Sequence, residues 1–147
     1  PIFKKIKVVQ NGAGKDGDFA VFGSSILLSR MEDMLLLRTE ALAVLNRVDD
    51  AVEQLNQLRV KRGLSQVSFK KNFGEDVNKL IDNIFAERRR ELIGEGHRWY
   101  DLIRRQRILQ DDPDFLVRME NGGIYWPVSE EVIRQNNLIR QNEYWNN

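Results

Sequence analysis

The stretch ERRRELIGEGHRWYDLIRR, residues 87–105, gathers six arginines, four carboxylates, a tryptophan, a tyrosine and the only histidine of the chain. Three chemistries could use such a set. Arginines among aromatics could hold a nucleic-acid backbone and stack bases, a histidine beside carboxylates could act as a base, or acid and base could satisfy one another inside a fold. A nucleic-acid face needs charge of one sign exposed to solvent, and here Glu87, Glu91, Glu95 and Asp101 are mixed among the arginines. His97 has no second histidine and no cysteine to complete a metal site. It also lacks the cleft and the orienting third group that a base requires, so it reads as a histidine hydrogen-bonded near a helix terminus. No catalytic residue, metal ligand or cofactor site is assigned.

Helical spacing supports the third chemistry. Val77, Leu80, Ile81, Ile84, Phe85 and Leu92 fall on one stripe, and Arg88 falls on it too. A buried arginine must be paired, because an isolated buried charge is strongly unfavourable. The expected ion-pair network is Glu87, Arg88, Glu91, Glu95, Arg98 and Asp101. Trp99, Leu102, Ile103 and Gln106 form the inward stripe of the following helix, so Trp99 is expected to pack rather than to stack on bases. Arg104, Arg105 and Arg107 are the remaining basic patch.

The elements that position these residues follow from pattern. With 147 residues the chain is long enough for one hydrophobic core, and its 23 basic and 22 acidic residues nearly cancel. So small a net charge provides no field to draw in DNA or anionic lipid. There is no cysteine, hence no disulfide and no thiolate chemistry. No apolar run reaches the roughly 18 residues that span a bilayer. The opening PIFKKIKVV has neither an initiator Met nor signal-peptide organisation, and we expect a piece of a longer protein, cut on its N-terminal side.

Ile2 to Val9 and FAVFGSSI (19–26) read as strands around a turn, NGAGKDGD. That turn lacks P-loop spacing, and its Asp16 and Asp18 lack the further ligands of a calcium loop. Ser29 and Glu32 form a capping box ahead of a helix that is apolar on more than one face. A short turn at Asn46, Asp49 and Asp50, with Asp49 or Asp50 as cap, leads to a second helix stopped by Gly63. Ala41 and Ala51 are expected where the two helices approach closely, and Val48, Leu55 and Leu58 between them. This pair, 26–63, resembles a single tetratricopeptide repeat. Residues 64–74 read as a linker. Residues 75–110 form a helix, a break at Gly94 and Gly96, and a second helix. Residues 115–147 are expected to hold a hairpin turning at Asn121-Gly122, a short helix capped by Ser129, and a polar tail. The expected class is one mostly α domain over 1–147, a repeat-like helical hairpin plus further packed helices, with short strand or hairpin elements at its margins.

ERRRELIGEGHRWYDLIRR resembles a signature of the SusD/RagB family. ILLSRMEDMLLLRTEALAVLNRVDDAVEQLNQLRVKRGL and GGIYWPVSEEVIRQNNLIRQNEYW resemble two further family passages in the same order. The resemblance implies the C-terminal portion of a surface lipoprotein that captures glycan or peptide, without catalysis, for a TonB-dependent SusC-like transporter. It implies membrane attachment only through a lipid anchor upstream of this segment, no nucleic-acid partner, and a mainly scaffolding role here. Sugars stack on aromatic rings with polar side chains at their hydroxyls. By position the candidates are Tyr125 and Trp126 beside the turn, and Tyr144 and Trp145 in the polar tail. Packing of those rings onto the helices is the competing reading. A generic helical-repeat interaction module is the alternative function.

Overall fold

The computed structural model describes residues 8–10, 21–22 and 28–146, in two units that divide after Arg30. In the first unit, β1 (Val8–Gln10) pairs antiparallel with β2 (Val21–Phe22), Val8 opposite Phe22 and Gln10 opposite Val21. The expected turn at 11–18 and the rest of both expected strands lie outside the described residues.

The second unit is built on an antiparallel helix pair. α1 (Met31–Val44) and α2 (Val48–Lys61) are joined by a turn whose tightness rests on Asn46, held at φ +57°. Asparagine tolerates this left-handed backbone better than most residues. α1 begins at Met31, later than a cap at Ser29 would set, and the Glu32 carboxylate reaches Arg62 at 2.9 Å. Asp49 and Asp50 lie inside the first turn of α2 rather than at its cap, which falls on Arg47. There they still face the positive end of the helix dipole. Leu36, Ala43, Ala51, Leu55 and Leu58 are buried between the helices. Ala41 is exposed, and the small residue of α1 at the close approach is Ala43. α2 stops as expected at Gly63, whose φ is +70°. Gly63 N–H donates to Val60 O and Leu64 N–H to Arg59 O, at 3.0 and 2.8 Å, the paired bonds of a Schellman stop.

Residues 64–74 do more than link. They contain α3 (Phe69–Phe73), which places Phe73 in the core. Asn56 of α2 clamps the approach, donating to Val67 O at 2.8 Å and accepting from Val67 N at 2.7 Å. α4 (Val77–Glu91) is capped by Asp76, which accepts from Asn78 N at 2.9 Å. It buries Leu80, Ile81, Ile84, Phe85, Glu87 and Arg88, and packs mainly against α1. Gly94 and Gly96, at φ +78° and +82°, turn the chain into α5 (Arg98–Leu109).

The expected hairpin at 115–128 is not formed. Pro113 is the first residue of a helix, α6 (Pro113–Glu120), and Asp112 caps it by accepting from Phe115 N at 3.0 Å. Proline is well suited to that position because its missing N–H would be unpaired there anyway. Asn121-Gly122-Gly123 then ends α6 as Gly63 ends α2, with Gly123 N–H on Arg118 O at 2.8 Å and Gly122 N–H on Met119 O at 3.2 Å. Ser129 caps α7 (Glu130–Gln135), and a 3-10 turn at Glu143–Trp145 closes the described chain. Because Asp112 carries the only side-chain cap of α6, Asp112→Ala should cost about 1 kcal/mol. Urea denaturation would check this, and an unchanged midpoint would mean that packing alone holds α6.

Candidate functional site

Among the described residues Arg88 is the most deeply buried charged one, 1% exposed. Its guanidinium leaves α4 between α1 and α5. Nε donates to both oxygens of Asp101 at 3.1 Å, and Nη1 donates to the Asp33 carbonyl at 3.3 Å. Nη2 lies 2.9 Å from Asp33 Oδ1 and 3.1 Å from Asp101 Oδ1. The Asp33 contact is an ion pair whose angle falls short of a hydrogen bond. Asp101 is shared with Arg104, 2.9 Å away, and Arg104 also grips Glu40 through two bonds of 2.6 and 2.9 Å. The Arg104 guanidinium additionally lies over the Phe85 ring, 5.5 Å from its centre. Asp33, Arg88, Asp101, Arg104 and Glu40 thus form one alternating row across α1, α4 and α5.

The other residues of the expected network go elsewhere. Glu87 pairs with Arg59 of α2 and with Arg90 at 3.1 Å. Glu91 pairs with Arg62 at 2.8 Å, which ties the end of α2 to α4 and, through Glu32, to α1. The hydrogen bond from Arg62 to Glu91 raises the arginine's pKa further above its usual value, reinforced by their attraction against a small opposing effect of burial. Glu95 sits half-buried at the glycine corner, its N–H donating to Leu92 O at 3.1 Å, and Arg98 is exposed at the start of α5. His97 takes the cap position of α5 without a side-chain capping bond. The basic patch does not survive as one. Arg104 is spent on Glu40 and Asp101, and Arg105 bridges Asp82 and Asp111 at 2.7 and 2.8 Å. The hydrogen bond from Arg105 holds the Asp111 carboxyl below its ordinary pKa. Arg107 remains exposed.

A fold-back of the tail ties the segment of Tyr144 and Trp145 to the one that carries Tyr125 and Trp126. Gln141 makes two bonds to the Val128 backbone, accepting from its N–H at 3.0 Å and donating to its carbonyl at 2.8 Å. Asn142 Nδ2 donates to Gly122 O at 3.0 Å, and Trp145 Nε1 donates to Tyr125 O at 2.8 Å. Tyr144 lies so close to Gly123 that a Cβ there would stand 2.6 Å from its Cζ. The Tyr144 and Trp145 rings meet edge to face at 4.9 Å. Tyr144 is half-buried, whereas Trp145, Tyr125 and Trp126 are 41%, 62% and 83% exposed. Trp126 is backed by the half-buried Trp99, 6.2 Å between ring centres, and Trp99 also meets Phe115 edge-on at 6.2 Å.

Two acids central to the buried row, Asp33 and Glu40, escape a reading of the arginine stretch alone. The signal was present: Asp33, Leu36, Glu40 and Ala43 recur at helical spacing, and all four are buried. A carboxylate on such a stripe implies a cation facing it.

Together these features define a helical scaffold braced by internal ion pairs, with exposed rings gathered where its tail folds back. The chain belongs to the SusD family, which it matches over residues 7–116. It is similar to a SusD-like protein of Formosa agariphila, 35% identical over 131 residues that cover 81% of this chain and 24% of the relative. A SusD superfamily protein of Bacteroides thetaiotaomicron is 58% identical in its crystal structure, with a TM-score of 0.78, over 85% of this chain and 27% of that one. A SusD homologue of the same organism is 30% identical at a TM-score of 0.67, over 97% of this chain and 29% of that one. The chain therefore spans about a quarter of the length of these relatives.

Removing Arg88 would leave Asp33 buried without its cation. Arg88→Ala should destabilise the unit by about 3 to 5 kcal/mol, measured by chemical denaturation. A cost below about 1 kcal/mol would be that of a solvent-exposed charge.

Proposed function

We propose that this chain is the closing, mainly structural part of a cell-surface nutrient-capture protein. That protein binds a glycan, or in the alternative a peptide, and passes it without catalysis to a TonB-dependent SusC-like transporter in the outer membrane. Family membership carries this reading: the match to the SusD family extends over most of the chain. The internal pairing of Arg104 and Arg105 is consistent with it, since of the four arginines on α5 it leaves only Arg98 and Arg107 exposed to phosphates. In this reading the protein is held at the surface by a lipid on a cysteine outside the present sequence. Among the described residues no helix is long and apolar enough to cross a membrane.

Tyr125, Trp126, Tyr144 and Trp145 are the rings we assign to ligand contact. An exposed indole such as Trp126, supported from behind by a second ring, offers a flat face to the C–H side of a pyranose. A second reading, a helical-repeat module that docks other proteins, is favoured by the outer side of α1, where Met31, Met34 and Val44 are exposed. Repeat proteins present such faces to a neighbouring unit.

The full-length protein, presented with an array of glycans and peptides, should retain one structural class of glycan and co-purify with a large β-barrel protein. Retention of nothing on the array would end the nutrient reading. Capture of soluble proteins without a β-barrel would favour the second.

A further inference from the structure

We infer that the tail is a clasp: it fixes Trp126 against Trp99, and its release frees residues 121–128 while α1–α5 stay folded. The inference goes beyond the nutrient reading, and its test uses no ligand.

The reason lies in the backbone of the segment after α6. Residues 121–129 contain neither helix nor strand, so their polar backbone groups must find partners elsewhere. The first of them turn on local bonds: Gly122 N–H donates to Met119 O, Gly123 N–H to Arg118 O and Tyr125 N–H to Gly122 O. From the Tyr125 carbonyl onward the tail supplies the partners. Trp145 Nε1 donates to Tyr125 O at 2.8 Å, and Gln141 takes both backbone groups of Val128, at 3.0 and 2.8 Å. Trp126 is thus bracketed by tail bonds on either side. Pro127, between the two anchors, has a fixed φ and no N–H of its own. The seat of the Trp126 ring on Trp99, 6.2 Å between centres and 39° between planes, follows from a backbone that the tail holds.

The clasp is fastened by side chains. Among the described residues the backbone–backbone bonds of the tail are local: Ile139 N–H to Asn136 O, Trp145 N–H to Asn142 O and Asn146 N–H to Glu143 O. The bonds across to 121–128 come from Gln141, Asn142 and Trp145. Asn142 also shapes the tail itself, accepting from Tyr144 N at 3.0 Å. Substituting two side chains therefore undoes the clasp without altering a helix.

The helical body is complete without it. The hydrophobic core runs from Leu36 to Phe85 with Ile108 and Leu109 packed against it, and every member precedes Gln110. Ile124 is buried but lies outside that cluster. Among the described residues the ties of the later segment to α5 are the bonds of Arg105 to Asp111 and of Gln106 to Asp112 O, and the contacts of Trp99 with Phe115 and Trp126. Segments fastened in this way open locally, at less cost than global unfolding.

The test is hydrogen exchange and far-UV circular dichroism on the full-length protein. In Gln141→Ala/Asn142→Ala, amides of 121–128 should exchange at least about tenfold faster, the scale of one or two lost bonds. Those of α1 and α4 should keep their rates. Two indoles this close couple their transitions, so Trp126→Phe should remove a paired band from the wild-type spectrum. Added to the double variant, Trp126→Phe should remove no such band, because Trp126 has already left Trp99. Gln141→Ala alone should act in the same direction, more weakly. Unchanged exchange at 121–128 would overturn the clasp, as would a Trp126-dependent band that survives in the double variant or is missing from wild type. Exchange that quickens equally in α1 and α4 would overturn its independence of the helical body. None of these outcomes touches the nutrient reading.

Discussion

The second unit depends on the burial of one arginine. Arg88 is 1% exposed, and a guanidinium removed from water is tolerated only where fixed acceptors replace its hydration. Asp33 supplies a carboxylate and a backbone carbonyl from α1, and Asp101 supplies both carboxylate oxygens from α5. Those acceptors converge only if α1, α4 and α5 sit at one mutual register. The pairing therefore acts less as a source of net stability than as a condition on packing, since a well-packed apolar set could be equally stable. Arg104 extends the condition to Glu40, while Arg62 and Arg59 fasten α2 to α4 by the same means.

Much of this was legible in the sequence, and the limits have physical causes. Helical periodicity identified α4 and placed Arg88 among its apolar residues, because a 3.6-residue repeat needs only local information. The partners were harder. Glu87 and Glu91 are near in sequence, yet they point to Arg59 and Arg62. The partner on α1 is 55 residues away from Arg88, and no local pattern specifies a contact of that range. The expected hairpin failed for a different reason. Asn-Gly-Gly serves equally to turn a hairpin and to stop a helix, since both need left-handed backbone. Asp112-Pro113, which caps and begins α6, decides between them. The aromatic residues were legible as a list but not as a cluster, because side-chain bonds from Gln141, Asn142 and Trp145 to distant backbone assemble them.

The division between brace and surface follows from that arrangement. The arginine-rich stretch, which looks most like chemistry in the sequence, spends its charges on the fold and marks the family. The tail, polar in sequence, folds back so that Tyr144 and Trp145 lie against the segment that carries Tyr125 and Trp126.

The central claim is that Arg88 and Asp33 are present for one another. A double-mutant cycle of Arg88→Ala and Asp33→Ala, read by chemical denaturation, measures that directly. Each single variant should be strongly destabilised, and the double should be less so than their sum by about 1.5 to 3 kcal/mol, since the second deletion removes the charge stranded by the first. Additivity to within about 0.5 kcal/mol would show that the two side chains are independent, and would contradict the account.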